Sequence, residues 1–139
     1  MASIAAGGVQ AKPSGLITRE AARDLSDYQY HAMTVASDTQ FDYTNTATST
    51  GGDAIGILQN APAAEGREAE VATEGTSLLY VDGNSVNIAA QAKLGSNSNY
   101  HGVAVTSDAA RYFAIALEAS TADGDLIEVK LVGPQTIAG

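Results

Sequence analysis

The sequence predicts a mainly β protein: a small β-barrel or sandwich built on two similar hairpin-like units, with an extended N-terminal arm. Three observations carry that reading. Short apolar or alternating runs recur along the chain, separated by Gly, Asn and Asp turn signals. The segment "IGILQNAPAAEGREAEV" (55–71) returns in outline 58 positions later as "FAIALEASTADGDLIEV" (113–129). A length of 139 residues suits one domain with a modest core, and with aromatics at only 6% most of its layers must be thin.

Residues 1–20 read as the arm and 21–139 as the β-rich domain. The arm is Ala-, Gly- and Ser-rich and cannot bury enough surface to fold alone. Ile4, Val9, Leu16 and Ile17 are its spaced apolar handles, so it is expected to order against a partner and not on its own domain. Thr18 has the chemistry of an N-cap, and a two-turn helix is expected from it through Leu25. Residues 28–35, "YQYHAMTV", are aromatic and β-branched and predict the first strand. A polar Thr/Ser/Asn stretch follows, with a short strand over 41–44 and a Gly51-Gly52 stop.

The later strands are more regular. An apolar strand covers 54–58, and an alternating one covers 67–73 with Ala69 and Val71 on one face and Glu68 and Glu70 on the other. Residues 78–81 meet Asp82-Gly83, a short hairpin signal, with 86–88 as the expected return. "LGSNSNYHG" reads as loop, 102–106 as strand, and 112–117 with 126–132 as the closing pair. Across the repeat, Ile57, Ala61, Ala64, Gly66, Glu70 and Val71 match Ile115, Ala119, Ala122, Gly124, Glu128 and Val129. Each copy is an apolar strand, an acidic Gly turn and an alternating strand. Two such units can close on each other and cover their edges.

The same composition narrows function. Sixteen acids against seven bases give a net charge of −9, which argues against nucleic acid as a partner. There is no cysteine, hence no disulfide or thiolate metal site. No apolar run approaches a membrane span, and the N-terminus lacks the basic start of a secretory signal, so no membrane partner is expected. His31 and His101 are the only neutral-pH bases, without a neighbouring Asp, a nucleophile elbow or zinc-ligand spacing. Asp123-Gly124-Asp125 lacks the further acids of a calcium loop and reads as a tight turn. The acids Glu65, Glu68, Glu70 and Glu74 read as a solvated strand face. The residues therefore predict neither an enzyme nor a cofactor.

Three stretches, "DLSDYQYHAMTVASD" (24–38), "DAIGILQNAPAAEGREAEVATEG" (53–75) and "YFAIALEASTADGDLIEVKLV" (112–132), resemble the capsid decoration, or cement, proteins of tailed bacteriophages. The likeness runs in order from residue 24 to 132, and "GILQNAPA" is its most specific piece. The middle departs from the family pattern: "VNIAAQAKL" (86–94) lacks the family's Gly-Asp, and Ala114-Ile115 stands where a second Ile-Gly is usual. The resemblance implies a homotrimer on the outer surface of an icosahedral head, made in the host cytoplasm and bound to the major capsid protein at three-fold or quasi-three-fold positions. On that reading Ile4, Val9, Leu16, Ile17, Arg19 and Arg23 are the expected capsid or subunit contacts. The competing readings are a head-fibre or spike-base protein, a small hydrolase or lyase subunit using His31 or His101, and a ligand-binding barrel.

Overall fold

A computed structural model of the chain describes residues 11–44 and 52–138. Its regular structure is all strand: β1 (Pro13–Ala21), β2 (Ala32–Ser37), β3 (Gln40–Tyr43), β4 (Gly56–Leu58), β5 (Glu68–Asp82), β6 (Lys93–Ser96), β7 (Gly102–Ala104), β8 (Arg111–Ala116) and β9 (Asp123–Thr136). The mainly β class is borne out. The strands form one sheet in the order β1-β3-β2-β4-β5-β7-β6-β8-β9, with further pairings of β1 to β5 and β5 to β9.

Those two extra pairings close the sheet twice. β1, β3, β2, β4 and the first half of β5 make one ring; the second half of β5, β7, β6, β8 and β9 make another. Both rings have the same topology and the same register. The parallel pair Ala21↔Phe41 in barrel 1 corresponds to Val81↔Gly102 in barrel 2. Met33↔Tyr43 corresponds to Leu94↔Ala104, Ala32↔Ile57 to Lys93↔Ile115, and Leu58↔Val71 to Ala116↔Val129. Turns repeat as well. Tyr30 and Gln91 both take positive φ (64° and 75°), and their amides donate to Leu58 O and Ala116 O at 2.7 and 2.6 Å. Gly66 and Gly124, at φ 88° each, turn the chain between the paired strands of their units. The hairpin repeat read in the sequence is therefore part of a longer tandem duplication, with β5 shared by both barrels.

Each barrel has its own core. Barrel 1 buries Leu25, Met33, Phe41, Leu58 and Val71; barrel 2 buries Leu79, Leu94, Phe113, Ile127 and Val129. Equivalent positions exchange volume: Phe41 for Gly102, Leu58 for Ala116, and in the other direction Ala69 for Ile127 and Ile55 for Phe113. Total volume and patterning survive such swaps while sequence identity does not.

Several expectations are corrected. Residues 18–21 are not a helix but the end of β1, which pairs antiparallel with β5 (Leu16↔Ala72, Ile17↔Val71, Arg19↔Ala69). The arm as drawn over 1–20 thus belongs to the domain's own sheet from Pro13 onward. Its main-chain bonds, not an alternating apolar face, hold it there, and Leu16 and Ile17 remain 54% and 41% exposed. The first predicted strand begins only at Ala32, because the chain turns at 28–30. Residues 67–73 and 78–81 are one continuous strand, β5. The Asp82-Gly83 hairpin does not form: Asp82 Oδ1 accepts from the amides of Asn84 and Ser85, and the chain leaves the sheet until Ile88 bridges Ser120. Part of the predicted loop at 94–102 is β6, whose buried residues Gly95 and Ser96 are too small to give an apolar signal.

Candidate functional site

Tyrosine and histidine gather where the two barrels meet. The amide of Ala32 donates to Tyr100 O (2.9 Å), and that of Tyr80 to Tyr30 O (3.0 Å), tying one barrel to the other. Around these bonds the rings form a continuous ribbon. Tyr43 stacks on Tyr100 with centroids 4.0 Å apart, and Tyr28 meets both edge-on. Tyr28 also meets His31 edge-on, and His31 lies 5.0 Å from both Tyr80 and His101. A polar pair closes the ribbon at each end. Arg23 holds Asp42 through two nitrogens (2.7–3.0 Å) and lies over Tyr43; His101 Nδ1 is 3.0 Å from Asp123 Oδ1.

The two histidines, 70 positions apart in the chain, are thus brought into contact. His31 is buried, and its Nδ1 donates to Gln29 O at 3.1 Å. Burial holds its pKa below the ordinary value; the Gln29 carbonyl opposes that shift and the nearby His101 adds to it. Tyr100 is held above the ordinary phenol value by burial and by its hydrogen bond with Tyr43. Burial and the neighbouring His101 both disfavour a charge on His31, which suits a packed seam. Among the described residues no group of three or more His, Asp or Glu is arranged to hold a metal ion.

The seam gives one test. The unfolded chain protonates His31 near its ordinary value of 6.5, whereas the folded chain resists. The unfolded state therefore binds more protons as pH falls from about 6.5, and stability should fall with it, above the range where carboxylates titrate. Thermal midpoints measured between about pH 7 and 5 should slope downward toward acid, and His31→Phe should flatten that slope. An unchanged slope in the variant would place the acid sensitivity elsewhere.

The predicted contact residues that the structure describes lie on β1 and just after it. Ile4 and Val9 lie outside the described residues. Leu16 and Ile17 are exposed on β1. Arg19 lies over the buried ring of Phe41, 5.6 Å from its centroid, and Arg23 is committed to Asp42 and Tyr43. Both arginines therefore serve β3 of their own chain first. The tyrosine ribbon was missed from sequence; its trace is that each histidine follows a tyrosine, at Tyr30-His31 and Tyr100-His101.

The architecture defines a class, a tandem of two five-stranded barrels sharing one strand. Among solved structures it is similar to the N base of the head fiber protein gp8.5 of bacteriophage phi29. The TM-score is 0.54 at 14% sequence identity, covering 85% of this chain and 93% of that one. No protein-family model matches the chain, and no curated protein matches it in sequence.

Proposed function

We propose that the protein is a structural component of a bacteriophage head, a decoration protein that binds the outside of the icosahedral shell and stabilises it. One observation carries this reading: the fold is similar, over 85% of this chain, to the N base of a phage head fiber protein. The resemblance of three sequence stretches to capsid decoration proteins supports the finer assignment. The partner is the major capsid protein, the bound form a homotrimer at three-fold or quasi-three-fold positions, and the location the outer capsid surface. A trimer engaging several shell subunits makes its later contacts intramolecular, so individually weak contacts suffice. Its role is mechanical, with no turnover assigned.

A second reading, the base of a head fibre, is favoured by the same structural likeness. Mixing the purified protein with expanded, undecorated shells separates the two. A decoration protein gives low caps at the three-fold positions and raises the temperature at which shells rupture; a fibre base binds without strengthening the shell. Absence of binding would overturn both.

The arm enters the same experiment with a revised boundary. Deleting residues 2–10 leaves β1 whole, so the protein should stay folded while shell binding falls tenfold or more, about 1.4 kcal/mol. Deleting through residue 17 also removes the pairing of Leu16 and Ile17 with β5, and should lower the thermal midpoint. Full affinity in the shorter truncation would show that the first ten residues make no contact.

A further inference from the structure

Each barrel meets the other through one face, and each also carries the equivalent of its neighbour's face. At the internal junction Gln59 Nε2 donates to Ser77 Oγ (2.8 Å). Gly52 lies so near Ser96 that a Cβ there would come 2.1 Å from its hydroxyl. Ser77 and Ser96 are fully buried. Ala32, Ile57 and Ala72 of barrel 1 sit in one apolar cluster with the core of barrel 2.

The repeat carries these positions to the two ends of the tandem. Ile17↔Val71 corresponds to Ser77↔Val129, so Ile17 is the barrel 1 counterpart of Ser77. Val35↔Phe41 corresponds to Ser96↔Gly102, so Val35 is the counterpart of Ser96. In barrel 2, Leu117 is the counterpart of Gln59: their amides donate to Glu128 O and Glu70 O. Lys93, Ile115 and Lys130 stand where barrel 1 has Ala32, Ile57 and Ala72.

Burial inverts at these counterparts. Ile17, Val35 and Leu117 are 41%, 44% and 44% exposed, three of the five exposed large hydrophobics among the described residues. A polar contact inside the chain, Gln59 to Ser77, thus has as its outward equivalent a pair of exposed apolar side chains, Leu117 and Ile17. We propose that these two ends bind each other between copies. The Leu117 face of one protein docks, head to tail, on the Ile17–Val35 face of the next, repeating the junction already built between its barrels.

The occupant is a second copy because both halves of the interface are on one chain and neither half is complementary to itself. A head-to-tail interface closes into a ring or continues as a fibre. Lys93 and Lys130, flanking Ile115, lessen the mutual repulsion of chains carrying a net charge of −9. How the copies meet does not rest on the shell assignment: either can fail while the other stands.

The cysteine-free chain permits a direct test. Ile17→Cys and Leu117→Cys, combined in one chain and oxidised at high concentration, should give disulfide-linked species larger than dimers. A mixture of the two single variants should stop at dimers, and each single variant alone should stay uncrosslinked. Ile17→Asp, at an exposed position, should weaken self-association tenfold or more in sedimentation while leaving the thermal midpoint in place. Crosslinking of a single variant with itself as efficient as in the mixture would show a symmetric face-to-face dimer. A double variant that stays monomeric, or an Ile17→Asp protein that associates normally, would also overturn the proposal.

Discussion

Phe113→Ala is expected to cost about 3–5 kcal/mol of unfolding free energy, the range for truncating a buried aromatic, against a total of about 5–15 kcal/mol for a domain. Phe113 is 1% exposed on β8, in the barrel 2 cluster that also takes in Ala32, Ala54, Ile57 and Ala72 of barrel 1. Because β5 is common to both barrels, the loss should not stay in one of them. Denaturant unfolding followed by far-ultraviolet dichroism and by the tyrosine signal of the seam should give coincident, single transitions, shifted together in the variant. Phe41→Ala, in barrel 1, should behave alike. Two separated transitions would mean that the barrels fold independently and that the shared strand does not couple them.

What was legible in the sequence follows from where the duplication kept its identities. The turns of the β4–β5 and β8–β9 units and the strand segments beside them are legible because turn and buried strand coincide there: Gly66 and Gly124 share a conformation, and Val71 and Val129 share a core position. The rest of the repeat was hidden by volume exchange, since Phe41 against Gly102 or Leu58 against Ala116 looks like divergence although each pair occupies one place in the fold. β1 reads as a free arm by sequence because its covered face carries Pro13, Gly15, Arg19 and Ala21 and shows no run of alternating large apolar residues. β6 reads as a loop by sequence because glycine and serine fill two of its three buried positions. The candidate site suffered differently. Arg19 and Arg23 looked available by sequence, yet each lies on an aromatic ring of its own chain, and the histidine pair depends on a seam that local pattern does not encode.

The junction should be sensitive to a side chain at Gly75. It takes φ +82° where β5 passes from barrel 1 to barrel 2, and an added Cβ would come 2.5 Å from Lys12 O and 2.7 Å from Ser14 N. Gly124 is the natural control, at φ +88° with nothing within 4 Å of its missing Cβ. Gly124→Ala should therefore cost only the left-handed penalty, about 1–2 kcal/mol. Gly75→Ala should cost that and more, because the obstructing atoms are backbone and must move. Their displacement breaks the bonds that start β1, from Lys12 N to Thr76 Oγ1 (2.7 Å) and from Thr76 N to Lys12 O (3.2 Å). The damage should be local before it is global. Hydrogen exchange should accelerate along β1 and the facing half of β5 in Gly75→Ala, while β9 keeps its protection. Equal destabilisation of the two variants, with β1 still protected, would show that the strand tolerates the shift and that the junction is not the tight point of the fold.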